Sequence, residues 1–203
     1  MARTIRVGEV YLGTDKISHM LGYGRRYFVR YLQLREKGFS EAAARDKVIR
    51  WGLRRELSIV GRLVDGITSY SDLEANYQGM EMAIAMCQGD DPLFVRDGDA
   101  WKIVRRVEIL DYITPDLDET YNNNHYWLLR KRFVIPRLEE YYVDRYDDED
   151  VQARLAIYRA WEPSLNMLVI DQYWEKKGRD PRNNQSIQAL YQKRHGNESV
   201  VSD

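Results

Sequence analysis

Two pairs of polar side chains recur at a spacing of four residues, which places each pair on one face of a helix. Asp15 and His19 form the first pair, and Asp72 and Asn76 form the second. Glu56 lies between the pairs, in a stretch with its own helical pattern. Three sequential helices that pack as neighbours would aim these side chains into one pocket. A cluster of carboxylate, imidazole and amide groups suits general acid–base catalysis or the binding of a divalent metal ion.

These two tasks use overlapping sets of residues. As catalytic residues we predict Glu56, His19 and Asp72, with Glu56 or His19 moving the proton. The alternative is a metal centre whose ligands are Asp15, His19, Glu56 and Asp72. The pattern leaves open which ion would bind, and it is equally consistent with a site that has no cofactor.

Each of these residues also has an ordinary structural explanation. Asp15 and Asp72 are acidic side chains at predicted helix starts, where they interact favourably with the helix dipole. A single histidine such as His19 is often a hydrogen-bonded core residue, and Glu56 has arginine neighbours in the sequence. A buried and fully satisfied network would then hold three helices in register without any chemistry. The cluster is therefore either an active site or a structural device.

An acidic, asparagine-rich loop over residues 111–125 supplies further candidates. It reads DYITPDLDETYNNNH and lacks the spacing, glycine and final glutamate of an EF-hand. It is either a solvated loop or a segment that folds over the three-helix pocket and completes it. As substrate-binding residues we predict Asn76, Tyr70, Tyr77 and Asn124, with the tyrosines lining a groove for a sugar-like or peptide substrate.

Residues 14–80 contain a recognisable series of motifs: DKxxH, then a helix with a glutamate, then SxxDxxxNxxG. This series resembles VanZ-like and YfiM-like bacterial envelope proteins. The resemblance implies association with the envelope and a polar site between helices. By position it points to Asp15, Lys16, His19, Glu56, Ser69, Asp72, Asn76 and Gly79. Such proteins are often embedded in or anchored to a membrane, whereas this sequence has no apolar stretch of the roughly 20 residues that a span requires.

Helical periodicity predicts a mainly α fold, a single-domain helical bundle over residues 1–203. We expect polar-site helices within 14–88, a hairpin and the acidic loop within 89–125, C-terminal helices within 126–195, and a frayed tail. Asp97-Gly98 between two short β-like runs predicts a small β-hairpin near 93–104.

Finer features accompany this pattern. Residues 5–12 alternate weakly and predict a short extended arm. Either Ser69 or Ser71 caps the third helix, and Glu74 would complete a capping box with Ser71. Pro136 predicts a kink or a break in the helix that contains it.

Composition narrows the classes of function. The net charge of −1 over 203 residues gives no general attraction to nucleic acid or anionic membranes. Nucleic acid is an unlikely partner, although the first long helix carries an arginine stripe interleaved with tyrosines. The single cysteine, Cys87, excludes an internal disulfide, and its apolar neighbourhood predicts a buried thiol. No signal-peptide pattern begins the sequence, so we expect a periplasmic or envelope-associated chain if a leader has been removed, and a cytoplasmic one otherwise.

Two functions fit these observations. The first is a hydrolase with a His/carboxylate/Asn site between helices, acting on a cell-wall glycan or a similar envelope substrate. The alternative is a non-enzymatic helical interaction protein, whose polar cluster is structural and whose surface binds a protein partner.

Overall fold

The structure, a computed structural model, describes residues 3–58, 66–88, 91–122, 124–178 and 185–196. Its α-helices are α1 (Thr14–Ser18), α2 (Gly24–Glu36), α3 (Glu41–Glu56), α4 (Tyr70–Cys87), α5 (Leu128–Tyr141), α6 (Glu149–Arg159), α7 (Leu165–Glu175) and α8 (Ile187–His195). The predicted mainly α fold is confirmed.

Short antiparallel strand pairs accompany the helices. They are β1 (Thr4–Val7) with β2 (Val10–Gly13), β3 (Ile67–Thr68) with β6 (His125–Tyr126), and β4 (Phe94–Asp97) with β5 (Ala100–Ile103). The last pair is the hairpin predicted near 93–104, and it turns at Gly98, whose positive φ suits glycine. The first pair corrects the expectation of a single extended arm, because Gly8 reverses the chain with a positive φ.

Helix α4 is the central element of the fold. It is buried on most of its circumference from Tyr70 to Met80, and it contacts α2, α3 and α7. Ser69 caps its first turn, since the Ser69 hydroxyl accepts a hydrogen bond from the Asp72 backbone amide at 3.1 Å. The Ser69 alternative of the cap prediction is thus confirmed, and Glu74 has a different role from the predicted capping box.

A π-helical segment, His19–Tyr23, joins α1 to α2 in one continuous helical run. This segment and the start of α2 cross α4 at two glycines, Gly24 and Gly79. A Cβ added to Gly24 would lie 2.7 Å from Gly79 Cα, and one added to Gly79 would lie 2.0 Å from the Met20 carbonyl oxygen. The two backbones are therefore in direct contact, which brings the side chains on either side of the crossing within hydrogen-bonding range.

The acidic loop reaches the same region from the other side. Its 3₁₀ turns, Ile109–Tyr112 and Pro115–Leu117, bury Leu117 completely against the core that includes Leu12 and Met20. The loop then pairs with the segment before α4 through β3 and β6. Because both ends of the loop are fixed, the Glu119 carboxylate lies beside the first turn of α4.

Two local expectations need correction. Cys87 is exposed at the end of α4, because the helix has already left the core at this point. Pro136 lies inside the continuous helix α5, so the predicted break does not occur, and the alternative of a kink stays a prediction. The predicted continuation of the second helix over 59–65 falls outside the described residues.

The glycine crossing yields a direct test. We expect Gly79→Ala to lower the free energy of unfolding by about 2 kcal/mol or more, because the Met20 carbonyl that it meets is backbone and cannot rotate away. Gly22→Ala is the matched control, since nothing lies within 4 Å of a Cβ at this helical position. It should leave stability unchanged or raise it by about 0.5–1 kcal/mol. Urea unfolding measures both variants, and equal effects would refute the backbone contact.

Candidate functional site

A fully buried lysine lies at the centre of the polar cluster. Lys16 has no solvent exposure, and its ammonium Nζ donates to Asp15 Oδ2 at 3.0 Å, Asp72 Oδ1 at 2.5 Å and Glu119 Oε1 at 2.6 Å. The three carboxylates come from α1, α4 and the acidic loop. One cation therefore joins three parts of the chain that are distant in sequence.

The electrostatics explain how a lysine can be enclosed here. Burial by itself lowers the pKa of Lys16, but the charges of Asp72 and Glu119 outweigh this effect and hold the pKa above its usual range. The ammonium is therefore charged at any physiological pH. Three carboxylates against one ammonium leave an excess of negative charge, which reaches solvent through the partly exposed Asp15 and Glu119.

His19 extends this cluster on the side of α2. Its Nδ1 lies 3.1 Å from Asn76 Oδ1, and its Nε2 lies 3.5 Å from Asp72 Oδ2. The amide of Asn76 also bonds the buried Tyr27 hydroxyl. With the Asn76 NH₂ directed at Tyr27, Oδ1 is left to accept from a protonated Nδ1, an assignment that follows from the hydrogen-bond network. Nε2 then faces Asp72.

Glu56 belongs to the same region but has a different position. Its Oε1 accepts a hydrogen bond from the Ser69 backbone amide at 3.2 Å, so it fixes the residue that caps α4. Asp72 is on α4 and lies close to His19, whereas Glu56, on α3, contacts the residue that caps α4. The three predicted catalytic residues are thus linked through α4.

A divalent ion does not fit the carboxylate cluster. Among the described residues, the acidic and imidazole groups that come close enough to share one ion are Asp15, Asp72 and Glu119, with ligand atoms within 4.8 Å of one another. The Lys16 ammonium already fills the space between these oxygens. His19 and Glu56, predicted as ligands, lie outside this group, and the cluster is suited to holding an ammonium.

The cluster opens into a cleft of about 1000 Å³ between the N-terminal hairpin and helices α5 and α6. Asp15 and Glu119 are in its wall, and Asp15 Oδ1 accepts no hydrogen bond from any described residue. Six tyrosine side chains also line the cleft: Tyr11, Tyr121, Tyr126, Tyr141, Tyr142 and Tyr146. The acidic loop contributes Glu119 both to the ionic cluster and to the wall of the cleft, and its role in completing a functional site stays a prediction.

The residues predicted to bind substrate lie elsewhere. Tyr70 is fully buried in the core with Leu53, and Tyr77 is buried in the core that includes Tyr27. Asn124 is also buried, and its side chain bonds the hydroxyl of Tyr126, which does line the cleft. Of the predicted substrate-binding residues, Asn124 thus contacts a residue that lines the cleft. Asn76 instead lies within hydrogen-bonding distance of His19.

A second buried acid, Glu74, was expected only as part of a helix cap. Its carboxylate is fully buried and accepts hydrogen bonds from Gln78, Thr114, Ser164 and Asn166 at 2.7–3.1 Å. Burial raises the pKa of Glu74, although these hydrogen bonds oppose the rise. The residue ties α4 to the acidic loop and to the start of α7.

Comparison with known proteins adds no assignment: no family model, curated protein or solved structure matches the chain. Among the described residues, no helix combines the length and apolar character that crossing a membrane requires.

The buried ammonium should be essential for stability. We expect Lys16→Met to lower the free energy of unfolding by about 2–4 kcal/mol, because it leaves three carboxylates in mutual repulsion. The expected loss is smaller than that for breaking a fully buried ion pair, since the side chains of Asp15 and Glu119 reach solvent. The matched control is Lys102→Met on the hairpin, where Lys102 pairs with Asp97 in full solvent and should contribute little. Chemical denaturation compares the two variants, and an equally small loss in both would contradict the structural role of Lys16.

Glu74 predicts a pH dependence of stability. Because its pKa is higher in the folded state than in the unfolded chain, folding favours the protonated form, and its contribution to stability falls as pH rises from about 4.5 towards the raised value. Glu74→Gln removes this titration. We therefore expect the stability of the wild type relative to Glu74→Gln to decline with rising pH and then level off, as measured by urea unfolding at a series of pH values. A difference that stays flat or increases would refute the assignment.

Proposed function

We propose that the chain is a hydrolase that binds a sugar-like, hydroxyl-rich substrate in the cleft and hydrolyses it at Asp15 and Glu119. The observation that supports this most is the continuous ionic cluster, which links the His19–Asp72 pair through Lys16 to two carboxylates in the wall of a large cleft. Interacting ionisable groups in the wall of a large cleft are typical of active sites.

The cleft has the size and chemistry for a carbohydrate. Its volume of about 1000 Å³ lies at the upper end of the range for ligand sites. Tyrosine rings supply flat apolar surfaces with a hydroxyl at the edge, and carboxylates accept hydrogen bonds from sugar hydroxyls. The class of substrate that we propose is a cell-wall glycan.

The two cleft carboxylates are close enough to act on one bond. Their oxygens lie within 4.8 Å of one another around Lys16, which is near the separation of about 5–5.5 Å in retaining glycosidases and too short for the roughly 6.5–9.5 Å of inverting ones. Hydrolysis forms a bond between water oxygen and the anomeric carbon and breaks the glycosidic C–O bond. In a retaining mechanism, one carboxylate attacks the anomeric carbon while the other group, in its protonated form, gives its proton to the leaving oxygen. Water then hydrolyses the glycosyl ester and returns a proton to the second group. Lys16, which is enclosed, positions both groups without touching substrate.

The remaining residues act behind this pair. His19 and Asp72 lie next to each other at the rear of the cluster, and Asn76 orients the imidazole. For Glu56 we propose a positioning role, because it holds Ser69 at the start of α4 and is absent from the residues that line the cleft. The envelope is the compartment that this substrate class and the motif resemblance suggest.

A second function is favoured by a separate observation. Leu128, Leu129 and Phe133 of α5 are exposed by 90%, 79% and 68%, an unusual concentration of apolar surface on one helix. A protein partner would cover such a surface, and the ionic cluster would then be purely structural.

The same assay separates the two functions. We expect the purified protein to release reducing ends from isolated peptidoglycan, and Glu119→Gln to slow this release by about a hundredfold or more. His19→Gln should slow it by a smaller factor, since His19 lies behind the reacting pair. Glu108→Gln and His195→Gln are matched controls at positions outside the cleft lining and should leave the rate unchanged.

Circular dichroism must show that the Glu119 variant keeps its fold. A wild type that releases no reducing ends, or a folded Glu119→Gln variant with full activity, would overturn the hydrolase proposal and leave the interaction protein as the explanation of the cluster.

A further inference from the structure

A second concave surface, between α2 and α3, has a different chemistry from the cleft. This groove of about 490 Å³ is lined by the cationic side chains of Arg30, Lys37, Lys47, Arg54 and Arg55. Its other walls are Leu34, Phe39, Trp51 and Ser58. Among the residues that the structure describes, no acidic side chain lines this groove.

The five cations of the groove have no acidic partner within the described ranges. None of them forms a salt bridge there, whereas nearby arginines such as Arg45 and Arg50 are paired with acids on their own or neighbouring helices. The contacts that they do make are with aromatic rings and with backbone. Arg30 and Arg55 lie 5.7 and 5.4 Å from the centre of the Trp51 ring, and Lys47 lies 4.6 Å from that of Phe39.

This arrangement is costly in the absence of an anion. Five like charges around one groove repel each other, and the net charge of the whole chain is −1, so the concentration is local. The aromatic rings hold the cations in place without neutralising them, since a ring accepts a cation through its quadrupole alone. The guanidinium and ammonium donors remain available, and phosphate oxygens are the acceptors that they match best.

We propose that the groove between α2 and α3 binds a small ligand with two or more phosphate groups. Its volume accommodates a molecule of nucleotide size, and several separated cations favour several phosphates over one. The partly exposed edge of Phe39 and the Trp51 ring provide flat contacts for an organic ring attached to the phosphates. The site is independent of the hydrolase proposal, because none of its residues belongs to the ionic cluster or the cleft.

Isothermal titration calorimetry with inorganic tripolyphosphate tests the site on the intact chain. We expect saturable binding that weakens as sodium chloride is raised, because the contacts are exposed charges. Arg55→Gln should weaken binding about tenfold, and the double substitution Arg54→Gln with Arg55→Gln should weaken it further, since each removes a charge-assisted contact. All five cationic residues are exposed, so these variants should retain the fold.

Arg25→Gln is the matched control, because Arg25 is an exposed arginine on α2 that does not line the groove. It should bind tripolyphosphate as the wild type does. A nucleoside triphosphate should bind at least as tightly as tripolyphosphate, and the neutral nucleoside should not bind. The absence of saturable binding, equal losses in Arg25→Gln and Arg55→Gln, or much tighter binding of a single-stranded oligonucleotide would each overturn the proposal.

Discussion

The interaction on which the rest of the structure depends is the ammonium of Lys16 enclosed by Asp15, Asp72 and Glu119. Removing a charge from water is expensive, and it is tolerated only where opposite charges and hydrogen bonds surround it. This requirement fixes where α1, the first turn of α4 and the acidic loop lie relative to one another. The Lys16 ammonium also holds Asp15 and Glu119 in the cleft wall. The same ion pairs therefore stabilise the cluster and set the geometry of the candidate active site.

The glycine crossing is what makes this arrangement possible. Side chains as short as Asp15 and Asp72 can meet around one ammonium only if the helical run that begins with α1 approaches α4 at backbone distance. Gly24 and Gly79 allow this approach, since a Cβ at either position would overlap the opposite backbone. The π-helical turn that begins at His19 is part of the crossing, since it contains the Met20 carbonyl that faces Gly79, and such turns are frequent at functional sites. The residues that bring the two backbones together are thus close in sequence to the residues of the candidate site.

Sequence reasoning could find the parts of this site that obey helical spacing. His19, Asp72 and Asn76 meet as the four-residue pairs indicated, and Ser69 caps α4 as one alternative predicted. The role of Lys16 could not be read in the same way, because an isolated lysine is usually solvated and its burial depends on acids far away in sequence. Glu119 was one of several acids in a loop without periodicity. Tyr70 and Tyr77 were placed at a groove on composition alone, whereas the all-round burial of α4 puts both in the core.

The last turn of α3 shows how one short segment serves two surfaces of opposite charge. Successive residues of a helix are rotated by about 100°, so neighbours in sequence point in different directions. Glu56 is directed at Ser69 and supports the acidic cluster, while Arg54 and Arg55 line the basic groove. The apparent conflict in the sequence, a candidate acid flanked by arginines, is thereby resolved. A net charge of −1 conceals this separation, because it averages the acid-rich cluster, which Glu56 supports from one side of α3, with the group of cations that Arg54 and Arg55 join on another side.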